Sequence, residues 1–92
     1  MNLSLNQKVI LISGGAKGIG AAVAKGLIEE GGIPVIIDPS GEEARQIIDF
    51  ANNQALHLPL RLVRAADASR AVEETLRKFG RIDGIVNNAG SN

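Results

Sequence analysis

The sequence predicts an α/β domain, a doubly wound parallel sheet of βαβαβαβ pattern in strand order 3-2-1-4, and three observations carry that expectation. Short aliphatic runs alternate with longer stretches whose apolar residues recur every three or four positions. Hydrophobic residues make up 45% of the chain but only Phe50 and Phe79 are aromatic, so Ile, Leu, Val and Ala must build the core, as in a sheet buried on both faces. At 92 residues, folding can bury roughly 60–65% of the extended surface, enough for one domain over 1–92 with a modest core.

The elements follow in order. Val9-Ile10-Leu11-Ile12 is branched, short and followed by Gly14 and Gly15, which reads as a buried strand. After Gly20, the positions Ala22, Val23, Gly26 and Leu27 have helical spacing, and Gly31-Gly32 stops the helix. Pro34-Val35-Ile36-Ile37 is the second buried strand. Ser40 with Glu43 three residues on forms a capping box for a helix that turns Ala44, Ile47, Ile48 and Ala51 inward and ends at Asn52-Asn53. Leu56 to Leu62 alternates apolar and other residues, and Pro59, which cannot donate to a ladder, places this third strand at a sheet edge. Ala65, Ala68, Val72, Leu76 and Phe79 mark a third helix closed by Gly80, and Ile82 to Asn87 is the fourth strand. Right-handed crossovers then give the 3-2-1-4 order.

Composition excludes several functions. Ten basic and ten acidic side chains, scattered along the chain, supply no field to attract nucleic acid or an acidic membrane. The chain has no cysteine, hence no disulfide or thiolate metal site, which suits a reducing cytoplasm. The N-terminal residues lack a basic stretch followed by an apolar run, and no apolar segment approaches the roughly 18 residues of a membrane span. No metal cluster is expected.

The chemistry-bearing segment is Ser13-Gly14-Gly15-Ala16-Lys17-Gly18-Ile19-Gly20, between the first strand and the first helix. Free backbone N–H groups and the positive end of a helix hold a diphosphate at such a junction, and a Cβ would block its close approach. The spacing is G-x-x-x-G-x-G, not the commoner G-x-G-x-x-G. The plainer reading is a flexible turn in a Gly-rich chain. Asp38, at the tip of the second strand, can accept hydrogen bonds from ribose hydroxyls and repel a 2′-phosphate, the plainer reading being a turn acid before Pro39. Lys17 pulls toward the 2′-phosphate, but a carboxylate beside a phosphate costs more than a solvated lysine gains, so NAD is expected over NADP.

The glycine loop, Asp38, the Phe79-Gly80-Arg81-Ile82-Asp83 run and Asn87-Asn88-Ala89-Gly90 together resemble the N-terminal half of the short-chain dehydrogenase/reductase family, in order and over essentially the whole chain. The fold that this implies is a Rossmann-type sheet, present as its N-terminal half. Within the family, the stretches around Ile33-Pro34-Val35, Leu58-Pro59-Leu60 and Asn87 to Asn92 look most like sugar dehydrogenases of the L-fucose dehydrogenase type. The resemblance implies that Gly14, Lys17, Gly18, Ile19 and Gly20 contact the diphosphate and nearby ribose, that Asp38 holds the adenosine ribose, and that Asn87, Ala89 and Gly90 lie along the nicotinamide side. Asn88 would tie the fourth strand to its neighbours. At the adenine the sequence departs from the family, since the usual acid falls on Arg61; Leu62 is left to supply a backbone contact, and Asp67 reads as a helix-end acid.

The family transfers a hydride between a nicotinamide and an alcohol or carbonyl, using a Tyr as acid/base with a Lys and a Ser. The chain contains no Tyr, so no catalytic residue is assigned. His57, the only histidine, reads as solvent-facing or hydrogen-bonded, and Asp49, Glu29 and Glu30 as surface charges. Ser91 has no base to activate it. Three readings follow: part of a dehydrogenase, truncated or split, that cannot turn over alone; a non-catalytic module for NAD or an adenine nucleotide; and a fragment whose exposed fourth strand completes another sheet, by self-association or by pairing with a complementing C-terminal half.

Overall fold

The computed structural model describes residues 5–14 and 16–88. Its elements are β1 (Val9–Ser13), α1 (Gly18–Glu29), β2 (Ile33–Ile37), α2 (Gly41–Phe50), β3 (Leu56–Leu58), α3 (Ala65–Phe79) and β4 (Gly84–Asn87). The four strands form one parallel sheet in the order β3-β2-β1-β4, the order that the alternation predicts.

Alternation along the strands creates two cores. Val9, Leu11, Ile33, Val35, Ile37 and Leu58 face α3 and its Ala71. Ile12 and Ile36 face the other way, against Ala24 of α1 and Ala44 and Ile47 of α2. Val9, Ile12, Val35, Ile36 and Ile47 are all at most 2% exposed. Each such side chain contributes roughly 1.5–3 kcal/mol, against roughly 0.2–1 for an exposed ion pair. Aliphatic burial therefore decides the layering.

Four details differ from the sequence expectation. The third strand stops at Leu58, because Pro59 has no N–H and Leu60 N–H turns back onto Leu58 O at 2.8 Å in a three-residue turn. The fourth strand starts at Gly84, since Asp83 is used as a side-chain cap: its Oδ2 accepts Val9 N–H at 2.8 Å and Arg81 grips it through Nε and Nη2. Ser40 is the N-cap of α2 but its side chain makes no capping bond, so there is no capping box; its N–H donates to Asp38 instead. The helix faces also rotate. In α1 the buried residues are Gly20, Ala24 and Leu27, while Ala22, Val23 and Gly26 are exposed; in α3 they are Ala71 and Thr75, with Ala65, Ala68 and Leu76 exposed. Alanines all round these helices leave periodicity unable to choose a face.

Pro34 sits inside an internal strand without breaking it. Ile33 N–H points to β1, reaching Lys8 O at 2.7 Å, so the nitrogen of Pro34 points to the other side, one position before β3 begins opposite Val35. Gly80 closes α3 in the left-handed region at φ +77°, and Asn52 and Asn53 end the α2 segment with positive φ, as expected.

Candidate functional site

Parallel strands deliver their C-terminal ends to one rim, and the register aligns them: Ser13 lies opposite both Ile37 of β2 and Asn87 of β4. The segments leaving the three strands therefore meet. Ser13 pins the junction, since its Oγ donates to Asn87 Oδ1 at 2.8 Å and accepts Asn88 N–H at 3.1 Å. Asn88 thus ties β4 to β1 through its backbone, and Asn87 shares that work through its side chain.

The glycine loop leaves β1 by a left-handed turn at Gly14, φ +68°, whose N–H donates to Ile37 O at 2.8 Å. Gly18, φ +56°, opens α1, and among the described residues a Cβ there would meet nothing within 4 Å beyond its chain neighbours and its own helix backbone. The space in front of it is open. Lys17, the N-cap, makes no side-chain capping bond, and the first intrahelical bond is Ala21 N–H to Lys17 O at 3.2 Å. Among the described residues, the N–H groups of Gly18, Ile19 and Gly20 have no acceptor, which leaves the positive end of α1 open to an anion.

Asp38, one residue past β2, is 8% exposed and held at every polar atom. Its N–H donates to Leu58 O at 3.1 Å, its carbonyl accepts His57 Nε2 at 2.7 Å, Oδ1 accepts Ser40 N–H at 2.8 Å and Oδ2 accepts Ala16 N–H at 3.3 Å. Burial pushes the carboxyl upward, but the Ser40 and Ala16 bonds, with a smaller pull from Lys17, outweigh it and hold the acid below its ordinary value of 3.8. The group is a carboxylate at neutral pH, joining the glycine loop to the start of α2.

A cleft of about 570 Å³ lies at this rim. Of the residues expected to bind, it brings together Gly14, Lys17, Asp38, Leu62 and Asn87, and adds Ser13, Leu60, Arg61 and Val63. Gly18, Ile19 and Gly20 form the adjoining first turn of α1; Gly18 and Ile19 are exposed and Gly20 is buried. Gly15, Ala89 and Gly90 lie outside the described residues. Asp67 is the helix-end acid: at the third position of α3 its Oδ2 accepts Val63 N–H and Arg64 N–H, which lowers its pKa. A wider, open groove of about 860 Å³ runs along α2 past Arg45, Asp49 and His57, away from the glycine loop. The smaller cleft is the candidate site because it joins the N-cap of the open helix terminus to the ionised acid. His57 is hydrogen-bonded, one of the two states the sequence allowed, but nothing local marked Asp38 as its partner; the sequence reading missed the role of Ser13, for which a polar residue closing an apolar strand was the available signal.

Among the described residues no helix is long and apolar enough to cross a membrane, and no group of three or more His, Cys, Asp or Glu could hold a metal.

Residues 8–92 match the family model described as short chain dehydrogenase. The chain is 39% identical over 84 residues to the L-fucose dehydrogenase of Bos taurus, an alignment covering 90% of this chain and 30% of the bovine protein. It superposes on a short chain dehydrogenase from Bacillus anthracis with a TM-score of 0.87 at 30% identity, covering 96% of this chain and 36% of that one. A 3-ketoacyl-(acyl-carrier-protein) reductase from Brucella melitensis, complexed with NADH, is similar with a TM-score of 0.81 at 33% identity, over 88% of this chain and 34% of that one. The chain thus spans about a third of the length of the proteins it matches.

Proposed function

Because the chain belongs to the short-chain dehydrogenase family, we propose that residues 1–92 are the dinucleotide-binding part of an NAD(P)-dependent oxidoreductase acting on an alcohol or carbonyl, with NAD preferred. A sugar is the favoured substrate class, on the likeness to L-fucose dehydrogenase. The observation that carries the reading is one cleft holding both an uncapped helix terminus behind positive-φ glycines and an ionised, buried Asp38.

Each part has a task. The open N–H groups of Gly18, Ile19 and Gly20 take the diphosphate, and the missing Cβ atoms let it approach. Asp38 already accepts two N–H bonds, which leaves about two of a carboxylate's four lone-pair positions for the ribose diol. Its charge repels a 2′-phosphate; at 4 Å and an effective dielectric near 20 that repulsion is about 4 kcal/mol, while the exposed Lys17 is screened by water. Asn87, fixed by Ser13, serves the nicotinamide side, a task the family resemblance extends to Ala89 and Gly90. A bound nicotinamide supplies the hydride acceptor or donor. The proton-transferring group, worth roughly 10²–10⁴-fold, has no candidate among these residues, which contain no Tyr.

A second role rests on a separate observation. The outer edge of β4 pairs with no strand among the described residues and carries Ile85 at 65% exposure, which favours completion of the sheet by a complementing C-terminal half or a second copy.

Calorimetric titration of the chain with NAD and NADP tests the binding reading. NAD should bind more tightly, Gly18→Ala should weaken both cofactors, and circular dichroism should show the variant still folded. Turnover of fucose or another alcohol should appear only when a separately expressed C-terminal half of a related dehydrogenase is added. NADP binding as tightly as NAD, or turnover by the 92 residues alone, overturns the assignment.

A further inference from the structure

We propose that His57 is a positioning residue for cofactor selectivity, holding the Asp38 backbone so that its carboxylate stays aimed at the adenosine ribose. The inference rests on the dinucleotide-binding reading above and adds to it the residue that keeps the ribose acid in place.

The need for such a residue arises from Pro59. In a parallel ladder, a residue whose N–H donates to one position of the neighbouring strand receives its carbonyl bond from the N–H two positions further on. Asp38 N–H donates to Leu58 O, so Asp38 O would look to Leu60 N–H. That donor is already spent on Leu58 O, and Pro59 between them has none. The ladder therefore ends with the Asp38 carbonyl lacking a backbone partner, at a residue only 8% exposed, where an unmet acceptor is costly. His57, in register with Ile36 and two residues before Pro59, reaches back and places Nε2 2.7 Å from that carbonyl. Because a carbonyl only accepts, Nε2 must carry the hydrogen. This settles the tautomer of the neutral ring, in a residue that also lines the groove with Glu42, Arg45 and Asp49.

The geometry makes Asp38 a four-point anchor. Its N–H and carbonyl are fixed from the β3 side and its carboxylate from the glycine loop and the α2 start. Releasing the carbonyl frees the peptide to rotate, and the carboxylate turns with it. Ribose recognition and repulsion of a 2′-phosphate both depend on that carboxylate, whereas the diphosphate contacts at α1 do not. Loss of the His57 bond is thus expected to change the ratio of NADP to NAD affinity and not only the overall affinity.

The test compares His57→Gln, His57→Asn and His57→Leu, with Asp38→Ala as the control, by titration with NAD and with NADP alongside a thermal melt of each variant. The Gln amide nitrogen reaches the position of Nε2 and should keep the wild-type ratio. Asn is too short and Leu has no donor, and each should lower the preference for NAD by about fivefold, the worth of one ordinary hydrogen bond. If His57→Leu fails to fold, the Gln and Asn pair decides alone. An unchanged ratio in His57→Asn, with both affinities or only the melting temperature reduced, overturns the positioning role. The ribose reading itself fails if Asp38→Ala leaves the ratio unchanged, and absence of binding by the wild type removes both.

Discussion

Asp38 shows how one carboxylate can join two segments distant in sequence, the glycine loop and the start of α2. Its folded pKa lies below the 3.8 of the free group because the Ser40 and Ala16 N–H bonds and Lys17 outweigh the opposing effect of burial. The unfolded chain therefore binds the proton more readily, and the stabilisation is fully present above the unfolded value and lost as pH falls through the folded one. The melting temperature of the wild type should be steady above about pH 5 and fall below pH 4. Asp67 and Asp83 are lowered too, so part of that slope belongs to them. Asp38→Asn keeps one acceptor and should lose about 1 kcal/mol at neutral pH, which for a domain of this size is about 4–8 °C in Tm. It should also flatten the acid limb. Equal acid slopes in Asp38→Asn and the wild type would show that the carboxylate is not held by those bonds.

At the scale of elements, the link between α3 and β4 illustrates a chain stop turned into a strand start. Gly80 ends the helix in the left-handed region, and Arg81 and Asp83 then fork together at 2.7–2.9 Å while Asp83 accepts Val9 N–H. The two members of the ion pair are not equivalent. Removing Arg81 breaks a solvated pair, whereas removing Asp83 also strands the N–H of Val9, a residue only 1% exposed. Chemical denaturation should accordingly rank Asp83→Ala well below Arg81→Ala in stability. A reversed order would mean that the guanidinium, and not the cap on β1, holds this corner.

For the whole molecule, the two sheet edges differ. The β3 edge is three residues long and ends at Pro59, a protected edge, whereas β4 contains no proline and carries Ile85 on the α3 side of the sheet. Leu76 of α3, 44% exposed, adds to the apolar surface on the same side. The isolated chain is expected to associate through β4. Light scattering across a dilution series should show mass falling with concentration, the melting temperature should rise with concentration, and Ile85→Lys should shift the population to monomer. A wild-type monomer at every concentration, melting cooperatively, would mean that the four-stranded unit covers its own edge.

The alternation of aliphatic runs with helical spacing was enough to determine the parallel order 3-2-1-4, because strand burial and right-handed crossovers leave few other arrangements. The glycine loop and Asp38 were equally legible, since positive φ and an acid at a strand tip are local demands on residue type. What tertiary structure decided was everything set by a neighbour distant in sequence. Which faces of α1 and α3 turn inward depends on the sheet beneath them, because alanine all round a helix states no preference. The ends of β3 and β4 depend on competing partners: Leu58 O takes Leu60 N–H, and Asp83 is drawn to Val9, 74 residues away. His57 acquires its partner only because Pro59, in breaking the ladder, leaves a carbonyl beside it, a vacancy that exists once β3 lies against β2 and not before.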